Sequence, residues 1–119
     1  MTKKEKLHLL IKNGPQDGPV PFHPILMHFA ARFAGAMYME FASSHKILVE
    51  SNMKCLEYFD HDFVPLMSDP YGETSAFGAK IDFPLDSVPR CREPLVKTIE
   101  DVNDLKNPDV HKELRPRER

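Results

Sequence analysis

Three polar residues stand where their chemistry can be used: His28, Arg32 and Asp69. Asp69 follows the apolar run Phe63-Val64-Pro65-Leu66-Met67 and lies between Ser68 and Pro70. A carboxylate just past an apolar strand sits where α/β folds gather ligands, at the carboxyl ends of parallel strands. Ser-Asp-Pro is equally a turn former, and spacing does not separate the two roles. His28 and Arg32 are four residues apart, so a helix puts both on one face. A guanidinium grips a carboxylate bidentately and an imidazole adds a ring nitrogen, a pair suited to an anionic ligand. A surface ion pair for Arg32 and a satisfied, partly buried histidine for His28 are the plainer alternatives, and spacing alone favours them narrowly.

Other chemistries find no footing. The six histidines form no HxH, HExxH or one-helix HxxxH pattern, and Cys55 and Cys91 belong to no CxxC pair. No metal site is expected, and two cysteines do not make a disulfide scaffold, so both read as reduced thiols. No GxSxG elbow, GxGxxG turn or GxxxxGK[ST] loop occurs, which removes support for an esterase-type nucleophile or a Rossmann or Walker nucleotide site. Cys55 falls in an apolar stripe, where a thiol is usually inert. Met27, Met37, Met39, Met53 and Met67 read as core filler.

The elements that must position these groups are short. The chain has 119 residues, 16 Lys plus Arg against 18 Asp plus Glu, and a formal net charge of -2. That balance argues against a nucleic-acid binder working through a broad basic field. With 41% hydrophobic and 29% charged residues, it has the composition of one small globular domain. No apolar run approaches a membrane span, and the start lacks the pattern of a secretory signal, so a cytoplasmic location is expected.

Leu7, Leu10 and Ile11 at helical spacing predict an amphipathic helix over Lys3 to Lys12, stopped by Asn13-Gly14-Pro15. Val20 to Met27 is apolar and holds Pro21 and Pro24, which exclude a helix and suggest a short buried strand. Helix-compatible residues follow from His28 to Ala34 and from Tyr38 to Ala42, with Gly35 between. Ser43-Ser44 offers an N-cap for the strongest helix, where Leu48, Asn52, Cys55, Leu56 and Phe59 form one stripe. Phe63 to Met67 reads as a second strand, so strand, helix and strand predict a parallel βαβ unit. Beyond it, Tyr71 to Gly78 permits a short helix and Ala79 to Phe83 alternates as a short strand. Val88 to Pro94 is extended, Thr98 caps a last helix with Ile99, Val102 and Leu105, and residues 109–119 form a charged tail with little to bury.

In order along the chain, Val20-Pro21-Phe22 through Met27-His28-Phe29-Ala30-Ala31-Arg32-Phe33, Phe63 to Gly78, and Phe83-Pro84 through Pro108 resemble the uroporphyrinogen decarboxylase family. That family includes the corrinoid-dependent methyltransferases of the methylcobalamin:coenzyme M type. The likeness covers nearly the whole chain and is best over residues 19–108. It implies that residues 1–119 form the amino-terminal part of a (β/α)8 barrel, with the first two barrel strands and their helices. It also implies a cleft at the strand ends, in which Arg32 matches the second of two carboxylate-holding arginines. Asp69 matches the catalytic aspartate that meets pyrrole N–H groups. His28 replaces the first arginine, a departure that moves the reading toward methyl transfer from a corrinoid to a thiol or similar acceptor.

The resemblance further implies a corrinoid (methylcobalamin) and zinc in a complete family member, with no zinc ligand assignable here. The partners expected are a small-molecule substrate or a corrinoid protein, and the missing barrel part or a second copy of the chain. Two strands cannot close a barrel, so the chain alone is expected to be incomplete and whether it turns over any substrate stays open. The alternatives are uroporphyrinogen III decarboxylation in tetrapyrrole biosynthesis, a non-catalytic fragment acting only in assembly, and an unrelated small α/β binding domain.

Overall fold

The computed structural model describes residues 1–15 and 17–113. Helices dominate it. Helix α1 (Lys3–Asn13) starts from a reciprocal cap: Thr2 Oγ1 accepts the Glu5 N–H and the Glu5 carboxylate accepts the Thr2 N–H. It ends at Gly14, whose φ of 77° a side chain would strain. None of its residues is buried. Lys3 ties it to the rest by donating to the Asp60 carboxylate and to the Asp60 and His61 carbonyls.

The core lies among the next three helices, α2 (Met27–Ala34), α3 (Tyr38–Ser43) and α4 (His45–Phe59). Gly35 closes α2 in the left-handed conformation and sends the chain straight into α3. Ser44 caps α4 through its hydroxyl, which accepts the Ile47 N–H. Ala30 and Ala31 of α2 are fully buried, and their small side chains let α2 lie close against α4. Tyr38 and Phe41 from α3, with Leu48 and Cys55 from α4, complete the cluster. The remaining elements are α5 (Gly72–Ala76), β1 (Ile81–Asp82), β2 (Arg90–Cys91), α6 (Ile99–Asp104) and α7 (Val110–Glu113).

Several expectations need correction. Val20 to Met27 is not a strand: residues 20–26 join no ladder, Leu26 already has helical backbone angles, and the helix starts at Met27. Phe63 to Met67 joins no ladder either. Pro21, Pro24 and Pro65 have no N–H to donate, which leaves gaps in any ladder these segments would form. They do touch at their beginnings, in the same direction. The Asp62 N–H donates to the Phe22 carbonyl (2.9 Å), the Asp62 carboxylate accepts the Phe22 N–H (2.8 Å), and the His23 ring meets Phe63 edge-on. Among the described residues the sheet is the antiparallel hairpin β1–β2, with Ile81 opposite Cys91 and Asp82 opposite Arg90, in place of a parallel βαβ unit. The two barrel strands expected from the sequence are therefore not formed.

The apolar stripe of α4 is buried at Leu48, Asn52 and Cys55 but not at its end, where Phe59 is exposed. Met37, Met39, Met53 and Met67 are likewise exposed rather than core filler. The cause is architectural: among the described residues no second layer covers these side chains. A radius of gyration of 17.7 Å, against about 13.5 Å for a compact chain of this length, says the same. In the charged tail, 110–113 form α7, and the rest of the expected frayed segment, 114–119, lies outside the described residues. No helix among the described residues is long and apolar enough to cross a membrane.

Candidate functional site

At Met27, the first residue of α2, the chain turns with a φ of 30°, which is strained for a side-chain-bearing residue. That turn sets His28 in the first turn of α2, half-buried, with Arg32 one turn further along the same face. His28 Nε2 lies 3.0 Å from Asp86 Oδ1. Asp86 comes from the turn joining β1 to β2, which folds back over the start of α3. The same Asp86 oxygen accepts the Tyr38 N–H at 3.3 Å, and the neighbouring Leu85 carbonyl accepts the Met39 N–H at 3.1 Å. These two amides open α3 and have no partner within the helix, so the turn supplies the acceptors they need. The His28 hydrogen bond, above all, holds the Asp86 carboxyl below the usual carboxylate range, assisted by the Tyr38 N–H and by the charge of Arg32.

Tyr38 joins this corner to Asp69. Its ring is fully buried, packs edge-on against His28 (5.2 Å between centroids) and stacks on Phe41 (5.7 Å). Its hydroxyl donates to the Ser68 carbonyl at 2.8 Å. Burial first, and the negative charge of Asp69 second, push the phenol up to about 12. Asp69 is half-buried and held locally: Oδ1 accepts the Tyr71 N–H at 2.7 Å and Oδ2 accepts the Ser68 hydroxyl at 3.1 Å. Those contacts form an Asx turn, as the Ser-Asp-Pro sequence allows, and they leave each oxygen acceptor capacity for a ligand.

The structure thus links His28 directly to Asp86, sets Arg32 beside them, and connects Asp69 to both through Tyr38. Two members of this network were not read from the sequence. Tyr38 reads from the sequence as an ordinary helical residue, and nothing in the sequence singles out Asp86. Elsewhere, an open groove between α5 and α6 is lined by Phe77, Leu95, Asp101 and Leu105 and takes no part in this network.

The family model for uroporphyrinogen decarboxylase (URO-D) matches residues 2–117 and so takes in every residue of this network. The chain belongs to the uroporphyrinogen decarboxylase family. Neither the curated proteins nor the solved structures contain a match to it. Membership in the uroporphyrinogen decarboxylase family suggests a (β/α)8 barrel as the parent fold. Within that family frame, the residues described here amount to a helical layer and a hairpin.

Proposed function

We propose that this chain forms the ligand-recognition corner of a methyl-transferring member of the family, acting on a small thiol that carries one anionic group. The observation behind this reading is that His28 already holds a single carboxylate, that of Asp86, with the exposed guanidinium of Arg32 on the same helix face. One guanidinium matches one carboxylate or sulfonate. A porphyrinogen, with a carboxylate on each of many side chains, calls for more than one.

In this reading Arg32 binds the anionic end of the acceptor. Asp69, fixed by Ser68 and Tyr71, accepts a hydrogen bond from a donor on the same ligand. Tyr38 keeps its proton at any physiological pH and acts as a brace between the two. A methylated corrinoid is the co-substrate that supplies the methyl group. Zinc, which the family resemblance implies for thiol activation, finds no seat: among the described residues no three His, Cys, Asp or Glu side chains cluster as a metal site. No step is therefore assigned to it here.

The test is a pair of assays on the whole chain, one with methylcobalamin plus 3-mercaptopropionate and one with uroporphyrinogen III. S-methylated product in the first, abolished in Arg32→Gln, is the expected result. Decarboxylated porphyrinogen in the second overturns the methyl-transfer reading in favour of tetrapyrrole biosynthesis. Turnover in neither favours a non-catalytic assembly piece, a second reading that rests on the exposed aromatic cluster of Phe29, Phe33, Tyr58 and Phe59 across α2 and α4.

A further inference from the structure

We infer that Asp86 is a built-in competitor for the ligand's anionic group, so that binding at Arg32 and His28 requires the β1–β2 turn to lift. The inference rests on the recognition role given above to Arg32. Its own support is geometric. Asp86 Oδ1 lies 3.0 Å from His28 Nε2, where a ligand carboxylate would place one of its oxygens. Residue 86 is in a turn, not in the hydrogen-bonded ladder, which is confined to Ile81–Asp82 and Arg90–Cys91.

Hydrogen bonds to α2 and α3 hold the tip of the turn. Asp86 bonds to His28 and to the Tyr38 N–H, and the Leu85 carbonyl bonds to the Met39 N–H. The His28 and Asp86 side chains keep 35% and 34% of their surface exposed, so solvent and small anions reach the pair. Leu85 itself is 60% exposed and anchors nothing by burial. A ligand carboxylate therefore replaces one carboxylate by another, and the site exchanges anions rather than filling an empty position. This makes Asp86 a specificity determinant. A ligand must offer a better-placed anion than the one already present, and neutral thiols gain nothing by displacing it.

Binding of 3-mercaptopropionate to the whole chain, followed by NMR titration with amide hydrogen exchange, tests the idea, with 2-mercaptoethanol as the uncharged control. Asp86→Asn removes the charge but keeps a carbonyl oxygen for the Tyr38 N–H. It should tighten 3-mercaptopropionate by about fivefold, the modest gain expected from removing a competing, partly exposed ion pair. Arg32→Gln should weaken it, and 2-mercaptoethanol should respond to neither change. In the unsubstituted chain, saturation with 3-mercaptopropionate should accelerate exchange of the Met39 amide as the Leu85 carbonyl leaves it. Binding that depends on Arg32 but is unchanged in Asp86→Asn, with Met39 still protected at saturation, overturns the competition and leaves the recognition role of Arg32 standing. Failure of every variant to distinguish the two thiols overturns that role, and the competition with it.

Discussion

Replacing Tyr38 with Phe removes one hydroxyl from the centre of the network and leaves the ring packing in place. At neutral pH the loss is the hydrogen bond to the Ser68 carbonyl, 2.8 Å long and made by a fully buried side chain. That is worth about 1 kcal/mol net. The same hydroxyl makes the wild type vulnerable to base. Its proton is held to about 12 in the folded chain against an ordinary value of 10.0. Below pH 10 both states keep the proton and the contribution to stability is constant. Above it the unfolded chain loses the proton first, so stability falls by about 1.4 kcal/mol per pH unit and levels off near pH 12, after a loss of at most about 2.7 kcal/mol. Every other ionisable group is common to wild type and Tyr38→Phe and cancels in the difference. The variant should therefore be less stable than wild type at pH 7 and more stable by pH 11.5, with the curves crossing at about pH 11. Urea unfolding followed by far-ultraviolet circular dichroism between pH 7 and 11.5 measures this. A difference that stays constant across the range would refute the buried, proton-holding role of Tyr38.

Three further outcomes follow from other parts of the molecule. Phe41→Ala, at a side chain 1% exposed in the core, should cost about 3 kcal/mol in urea unfolding, whereas Phe59→Ala, at an exposed ring, should cost far less. Cys91 should react with a thiol reagent well before Cys55, because Cys55 is buried and burial pushes its thiol up, while Cys91 is only half-buried; equal rates would contradict the packing of α2 on α4. Because His28 holds the Asp86 carboxyl below its ordinary value, the attachment of the β1–β2 turn is complete above the unfolded carboxylate value and is lost as pH falls through the folded one. Exchange protection of Met39 should then disappear on acidification before that of the amides in the middle of α4.

The helices were legible because their signals are local. Ser44 and Thr98 announce two N-termini by side-chain chemistry, and the structure forms both caps. Gly35 marks the break between α2 and α3 for the same reason. The supposed strands misled because an apolar run with prolines satisfies the composition of a buried strand without meeting its hydrogen-bonding needs. A strand exists only where a partner ladder exists, and that is a non-local fact. Phe59 and the methionines misled in a related way: periodicity says which face is apolar but not whether anything packs against it. His28, Arg32 and Asp69 were visible as candidates through residue type and position. Asp86 was not, since its meeting with His28 spans 58 positions and depends on how a hairpin folds back.

The charge arrangement suggests why the network takes this form. Asp69 and Asp86 stand at opposite ends of it, and Tyr38, an uncharged residue, is the bridge between them. A buried cation in its place would carry a desolvation cost that its partners would have to offset. A tyrosine instead spans the gap with one donor, one ring face against Phe41 and one ring edge against His28. It also attaches both ends of the network to one residue. The residue whose hydroxyl holds the Ser68–Asp69 segment is the residue whose amide holds the Asp86 turn. Displacing Asp86 frees the N–H of Tyr38 while its hydroxyl still holds Ser68, so Asp69 stays in position as the turn lifts. On the proposed reading, the anion-exchanging end of the site moves without disturbing the hydrogen-bonding end, and a ligand bridging Arg32 and Asp69 would meet one adaptable group and one fixed group.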